Sequence, residues 1–236
     1  TVKDLYTVFL NAVAAVCRFL PLFVFVSLTK MFWENGFATF AKLWKPIGAA
    51  ILVDYVLVLS IAFYISVKYK VAVSVLLKKM MPSFLVALTT GSSLVALTNG
   101  MEVNRKGLGI SEDYSRLAYP LGISLYVATY APLNIAITYY MAEIYQTPTS
   151  FVWYATVALI CMILAYASPQ VSGAALICLG ILMTQLNIPS EGTAIAGTIS
   201  LALDFFSTGA KVLGQHLEML YQAGHLGMLD KEILRR

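Results

Sequence analysis

Charged side chains are scarce in this sequence. Lysine, arginine, aspartate and glutamate make up 12% of its 236 residues, while 59% are hydrophobic and the mean hydropathy is +0.78. A soluble domain carries roughly twice that share of charge, so composition alone implies an integral membrane protein. The net charge of +4 is small, and the basic residues sit between apolar segments instead of forming a stripe with interleaved aromatics. That distribution points away from nucleic acid as a partner. Cysteine is limited to Cys17, Cys161 and Cys178, each in an apolar run, with no CxxC spacing and no histidine nearby. They read as packed thiols, neither disulfides nor metal ligands. The two histidines, His216 and His225, are nine residues apart, a spacing that suggests no metal site. There is no nucleophile–base–orienter set and no phosphate-cradling glycine loop, so the sequence implies neither an enzyme nor a cofactor. The opening TVKDLYTVFLNAVAAVCRF has no Met, no basic segment before its apolar run and no small-residue cleavage site. It fits neither a signal peptide nor a natural N-terminus, and the expectation is a piece of something longer.

What the chain has in abundance is apolar runs, of two kinds. Residues 8–29, 47–67, 117–142 and 193–215 are each about 20 residues or more, enough to span a hydrocarbon core roughly 30 Å thick. They predict four spanning helices. Residues 71–100 and 151–188 instead place two shorter apolar arms around a small-polar centre, 89-TTGSSLVALTNG-100 and 167-ASPQVSGAA-175. Arms of about ten to fifteen residues do not cross a bilayer, and backbone freed at their tips must be buried in protein or line a cavity. The prediction is two re-entrant helical hairpins whose tips meet near the midplane. For 151–188 the alternative is one helix kinked at Pro169.

Loop charges orient this arrangement. If the four helices alternate and each hairpin returns to its own side, Lys68, Lys70, Lys78, Lys79, Arg105, Lys106, Arg116, Lys231, Arg235 and Arg236 share one side, and Lys30, Lys42 and Lys45 lie on the other. The majority side is then cytoplasmic, giving a multi-pass cell-membrane protein with its C-terminus inside and a cytoplasmic tail at 216–236. Two hairpins entering from opposite faces, each followed by a spanning helix, form an inverted repeat, an architecture that binds substrate at the repeat interface. The fold class expected is therefore all-α integral membrane, with spanning helices plus two re-entrant hairpins.

The last helix carries the densest polar pattern. In 194-AIAGTISLALDFFSTGAKVLGQ-215, Asp204 and Lys211 are seven residues apart. At about 3.6 residues per turn, Ser200, Asp204, Ser207 or Thr208, Lys211 and Gln215 fall close to one face. An ionisable group at membrane depth costs at least about 2.5 kcal/mol. Such a stripe calls either for a functional site or for a structural Asp–Lys pair holding helices together. Asp54, midway along an apolar helix, reads as a proton carrier, a partner for Lys211 or a hydrogen-bonded packing residue. Arg18 snorkels or faces a scaffold contact. Tyr126, Tyr130, Tyr139 and Tyr140 form a substrate-facing wall, or pack and mark the interface.

The run 109-GISEDYSRLAYPLGISLYVATYAPLNIAITYYMAEI-144, the hairpin tip with Thr90, Ser92 and Ser93, and the final helix with Leu203 and Asp204 resemble the dicarboxylate/amino acid:cation symporters, the glutamate-transporter family. The resemblance covers essentially the whole chain, as that family's fifth to eighth helices and both hairpins; its first four helices have no counterpart here. It implies a scaffold-type helix at 1–40 and a transport-type domain at 43–236. It also implies a homotrimer built through the scaffold and an elevator-like movement of the hairpin domain.

The resemblance also assigns roles, residue by residue. Substrate-binding positions fall on Ser92 and Ser93 in the first tip, Ser168, Gln170, Ser172 and Gly173 in the second, and Asp204, Ser207, Thr208 and Lys211 in the last helix. Serines of the second tip serve equally well as caps of its arms. Asp204 corresponds to the aspartate that receives a substrate ammonium. Ser207 replaces the arginine that clamps an acidic side chain, which a hydroxyl cannot do, so glutamate and aspartate are poor substrates. Lys211 replaces an asparagine near the α-carboxylate and either binds a carboxylate or neutralises Asp204. The family's N-M-D-G-T interruption reads Tyr126 to Tyr130 here, with Pro132 and Asn134 able to distort the helix one turn later. At the usual sodium positions stand Ala128, Ser200 and Gln215, none a carboxylate, although Thr129, Ser124 and Asn134 are nearby. The expectation is a secondary transporter for a small amino acid or organic acid, coupled through Asp54 or Asp204 to a proton, or to no ion. The alternative is a transport-inactive binding or regulatory protein of the same fold.

Overall fold

A computed structural model describes residues 20–126, 129–167, 174–188 and 190–235, and among them the chain is helical, with an isolated bridge between Ile110 and Leu229. Helix α1 (Leu20–Tyr69) runs 50 residues without interruption, about 75 Å at 1.5 Å per residue. The expected loop at 30–46 is thus helical, and Lys30, Lys42 and Lys45 lie on a helix. Asn35-Gly36 and Pro46 are turn formers within that stretch, yet the helix runs through them. Gly48–Tyr69 is the part long and apolar enough to cross a membrane. Val58, Ala62 and Ile65 form its buried face, while Leu52, Phe63 and Val67 point outward, the all-round apolarity of a helix set between protein and lipid.

Helix α2 (Val73–Thr90) stops at Gly91, which takes a left-handed conformation (φ 60°, ψ 22°) and donates its N–H to the Ala87 carbonyl, an αL cap. After a tip at 92–96, α3 (Leu97–Glu102) and a π-helical turn (Val103–Gly107) bring the chain back alongside α2. A Cβ on Gly107 would lie 3.7 Å from that of Lys79. The first arm is longer than the sequence suggested, and its 18 residues suffice to cross a membrane.

The helix expected at 117–142 is two helices, α4 (Glu112–Leu125) and α5 (Tyr130–Ile144), with Tyr126 extended between them (φ −83°, ψ 96°). Pro132 accounts for the place of the break. It sits in the first turn of α5, where its missing N–H costs nothing, and its ring excludes a helical carbonyl four residues earlier. The distortion therefore falls one turn before the proline, not after it. Together, Glu112–Ile144 is long and apolar enough to cross.

Helices α6 (Phe151–Ala167) and α7 (Ala174–Gln185) follow. The Cys178 thiol lies 3.8 Å from the Leu164 carbonyl, whereas in one straight helix fourteen residues would separate them by about 21 Å. The chain doubles back rather than continuing through Pro169. Helix α8 (Ser190–His225) then runs 36 residues, ten beyond the expected end at 215, because Leu217, Leu220 and Ala223 keep the helical apolar spacing and are buried. A short α9 (Lys231–Arg235) ends the described chain.

Helix α8 is the axis of the molecule. Its C-terminal half packs in one core with α1, α2, α3 and α4; its N-terminal half packs in a second with α5, α6, α7 and, through Ala50 and Ile51, α1. The end of the chain clasps the first core. Asp230 N–H donates to the Gly109 carbonyl (2.7 Å), Ser111 N–H to Met228 (2.9 Å), and Lys79 Nζ caps Ile233 and Leu234 (2.8 Å each). Gly109 is left-handed (φ 72°) and faces the Asp230 carbonyl so closely that a Cβ would collide with it.

Close approach is also required at Gly100, where a Cβ would overlap the Tyr119 ring and hydroxyl, whereas at Gly48 it would meet nothing within 4 Å. Gly100→Ala should therefore destabilise the detergent-purified protein by ~1–3 kcal/mol through overpacking, read as a lower thermal midpoint. Gly48→Ala should leave the midpoint unchanged or raise it slightly, since alanine is the better helix former.

Candidate functional site

Two ionisable groups are buried on one face of α8: Asp204 is 4% exposed and Lys211 5%. Seven residues is close to two full turns, and the charge of Asp204 acts on Lys211. Both side chains are engaged by neighbours. Ser200, Ser207, Thr208 and Gln215 are buried along the same helix, so the stripe lies inside protein rather than against lipid. The stripe also dilutes the apolarity of α8, which is not among the segments apolar enough to qualify as a span.

Helices around the stripe dock on it through polar bonds. From α1, Tyr55 OH donates to the Phe206 carbonyl (3.4 Å), and Asp54 accepts from Ser207 Oγ (2.9 Å at Oδ2). From the α4–α5 break, Thr129 Oγ1 donates to the Ser207 carbonyl (3.2 Å). Gln215 Nε2 donates to the Tyr119 carbonyl of α4 (2.7 Å), so the amide that stands at a cation position by resemblance acts here as a strut. Ser124 is exposed and contributes nothing to this interior.

The first tip reaches the stripe. Ala87 and Ala96 pack on Val212, next to Lys211, and Gly209 faces Phe84 and Leu88. Ser92 and Ser93 are buried there. The Ser92 hydroxyl accepts from Val95 N–H (3.4 Å), and Thr90 Oγ1 accepts from Ser92 N–H (3.3 Å), so these groups hold the turn together. Ser168, Gln170, Ser172 and Gly173, the second tip, lie outside the described residues, as do Ala128 and Arg18. Of the tyrosines, Tyr126 sits against α8 at Gly214. Tyr139 instead packs with Trp153 and Tyr154 at centroid distances of 5.8 and 5.0 Å, in a separate cleft that Tyr140 also lines.

Four buried oxygens in this interior find no hydrogen-bond partner: Asp54 Oδ1, Asn134 Oδ1, Ser200 Oγ and Gln215 Oε1. Unsatisfied buried acceptors carry a desolvation cost of about 1–3 kcal/mol each. Three of these, Asp54 Oδ1, Asn134 Oδ1 and Gln215 Oε1, are carboxylate or amide oxygens, and a ligand that brings N–H groups or positive charge would satisfy them.

Sequence reasoning missed one cluster and assigned its centre to a surface tail. His216 is fully buried. Its Nδ1 lies 2.7 Å from Asn104 Oδ1 and its Nε2 2.7 Å from Ser83 Oγ, and its ring stacks on Tyr119 with centroids 5.1 Å apart. Asn104 Nδ2 donates to Ser115 Oγ (3.2 Å). That leaves the Asn104 oxygen facing the imidazole and places a ring proton on Nδ1, while the Ser83 hydroxyl is shared between Nε2 and the Met80 carbonyl at 3.0 Å. The signal was the apolar spacing of Leu213, Leu217 and Leu220, which carries the helix past 215. His225, nearer the surface, pairs with Lys68 Nζ at 3.0 Å.

The model of the sodium:dicarboxylate symporter family matches residues 1–220. No curated protein matches the chain.

His216 joins α2, the π-helical turn, α4 and α8, so His216→Leu should orphan Asn104 Oδ1 and strip Ser83 of a partner at a cost of about 1–3 kcal/mol per orphaned group. The expected result is a clear fall in thermal midpoint, partly restored by His216→Gln. An unchanged midpoint in the leucine variant would show that the network contributes nothing to stability.

Proposed function

The chain belongs to the sodium:dicarboxylate symporter family, and from this premise we propose that it is a secondary transporter carrying a small amino acid or organic acid across the cell membrane. The observation that carries the reading is the burial of Asp204 and Lys211 on one face of the helix that both cores share. A carboxylate and an ammonium so placed can receive the opposite ends of a zwitterion. Asp204 would take an ammonium and Lys211 a carboxylate, with Ser207, Thr208 and the tip serines Ser92 and Ser93 beside them. The second tip, at Ser168, Gln170, Ser172 and Gly173, would close the site from the other side.

In this reading the α2–α3 and α6–α7 units are re-entrant hairpins, and the two cores stacked along α8 are halves of an inverted repeat. The first hairpin enters from the cytoplasmic side, where the C-terminus also lies. Residues 43–236 move as an elevator-like transport domain against a scaffold that includes 1–40 and assembles as a trimer. Ion coupling departs from the family's description. Sodium must recover lost hydration from several oxygens, preferably anionic, and Ser200 and Gln215 offer neutral ones. A proton carried by Asp54 or Asp204, or no ion at all, drives the cycle.

The test is uptake by full-length protein in liposomes, with a panel of amino acids and organic acids under separate sodium and proton gradients. Saturable uptake should persist in sodium-free buffer, and Lys211→Met should reduce it at least about tenfold, as loss of a charged substrate contact does. A strong, cooperative sodium requirement would overturn the coupling assignment. Ligand-induced stabilisation without counterflow would favour a binding or regulatory protein over a transporter.

A further inference from the structure

Asp54 is the buried charge that the site as described does not use. It lies within the span Gly48–Tyr69, is 1% exposed, and meets Ser207 through one carboxylate oxygen at 2.9 Å. The other oxygen, Oδ1, is buried and has no hydrogen-bond partner. A desolvated carboxylate with an open acceptor is costly unless a positive group or a donor completes it.

The charge balance of the interior sharpens this. Among the described residues the buried ionisable groups are Asp54, Asp204, Lys211 and His216. Full burial keeps the His216 imidazole neutral. When both carboxylates are ionised, two carboxylates and one ammonium remain, a net charge of −1 that a proton on Asp54 or a cationic ligand neutralises. Lys211 lies in the field of Asp204, whereas the groups whose interaction with Asp54 is resolved are neutral: Ser207, Tyr55 and Tyr126. A zwitterionic substrate leaves this balance at −1, and an acidic one makes it −2. A substrate with net charge +1 brings it to zero, the state that costs least to move through a low-dielectric layer.

Position agrees with charge. Ser207, which holds the Asp54 carboxylate, is three residues after Asp204 and four before Lys211, one helical turn from each. A ligand whose α-ammonium and carboxylate engage Asp204 and Lys211 would need a side chain reaching about one turn, roughly 5.4 Å, to meet Asp54.

We propose that Asp54 is a specificity-determining residue that accepts the cationic end of a substrate side chain, so that the site takes basic amino acids in preference to neutral or acidic ones. This deepens the transporter reading and rests on it for the location of the substrate. The serine at 207 orients the carboxylate, and the unpaired Oδ1 is the acceptor that the substrate ammonium fills.

The experiment compares L-lysine with L-norleucine, which has the same length of side-chain carbon but no ammonium, and with L-glutamate, on purified full-length protein. Calorimetric binding should favour lysine over norleucine by at least about tenfold, the discrimination expected of a site with a buried group left unpaired by the wrong ligand. Asp54→Asn should bring that ratio close to one while norleucine binding stays the same or tightens, which a merely structural role would not produce. Since the substitution can also weaken folding, the wild-type ratio decides on its own: equal binding, or tighter norleucine, overturns the proposal. Uptake in liposomes separates the two readings. Lysine bound with the expected ratio but not transported sinks the transporter and leaves Asp54 its role. Norleucine or alanine transported with no lysine binding sinks the proposal and leaves the transporter. If none of the probes binds, the proposal falls and the transporter reading is left to the wider uptake panel.

Discussion

Desolvation of the polar stripe on α8 constrains everything around it. A helix carrying Ser200, Asp204, Ser207, Lys211 and Gln215 cannot face hydrocarbon, so it must be enclosed, and whatever encloses it must bring partners. They meet it at Phe206, Ser207, Val212 and Gln215. Asp54 and Tyr55 come from α1, Thr129 from the α4–α5 break, the Tyr119 carbonyl from α4, and the closely packed Ala87 and Ala96 from the first tip. Small residues on α8 make the enclosure tight, since Gly209 and Gly214 let Phe84 and Tyr126 rest directly on its backbone. The two cores along α8 follow from this. One helix is too long and too polar on one face to be covered by a single set of neighbours.

The His216 cluster shows the same rule applied further along the helix. Where α8 continues past the stripe, the next polar side chain is buried as well, and Ser83 and Asn104 supply what water would have supplied. Both partners are short and uncharged, so this part of the bundle is cross-linked without adding to the charge of the interior. The contrast with Asp54 is instructive. Both groups are buried, but one has its hydrogen-bonding capacity satisfied and the other has an oxygen left over.

Much of this was legible in the sequence, and the parts that were not fail for identifiable reasons. The small-polar centre at 89–100 marked where the chain turns back between α2 and α3, because tip chemistry is a local property, whereas the arms α2 and α6, of 18 and 17 residues, are longer than expected. The seven-residue spacing of Asp204 and Lys211 placed both on one face because helical period is also local. Three features depended on context that a single sequence does not weigh. Residues 30–46 contain Asn35-Gly36 and Pro46, local turn formers that favour a loop, yet the chain stays helical through them. The end of the last helix was drawn where its unbroken apolarity weakened, although Leu217, Leu220 and Ala223 still follow the helical spacing. The contact between Asp54 and Ser207 joins residues 153 positions apart, and no periodicity on either helix reports it.

The interruption between α4 and α5 has a further meaning. By resemblance, an unwound segment here belongs to a motif of glycine and carboxylate around a bound cation, and this chain has neither residue at 126–130. The break is present all the same, because Pro132 has no N–H to give and no room for the carbonyl that a continuous helix would place against it. An opening written into the covalent chain in this way needs no ligand to hold it. The facing ends of the two helices, the carbonyl-rich end of α4 and the N–H-rich end of α5, are therefore a standing pair of opposed partial charges beside Ser207, present before any solute arrives.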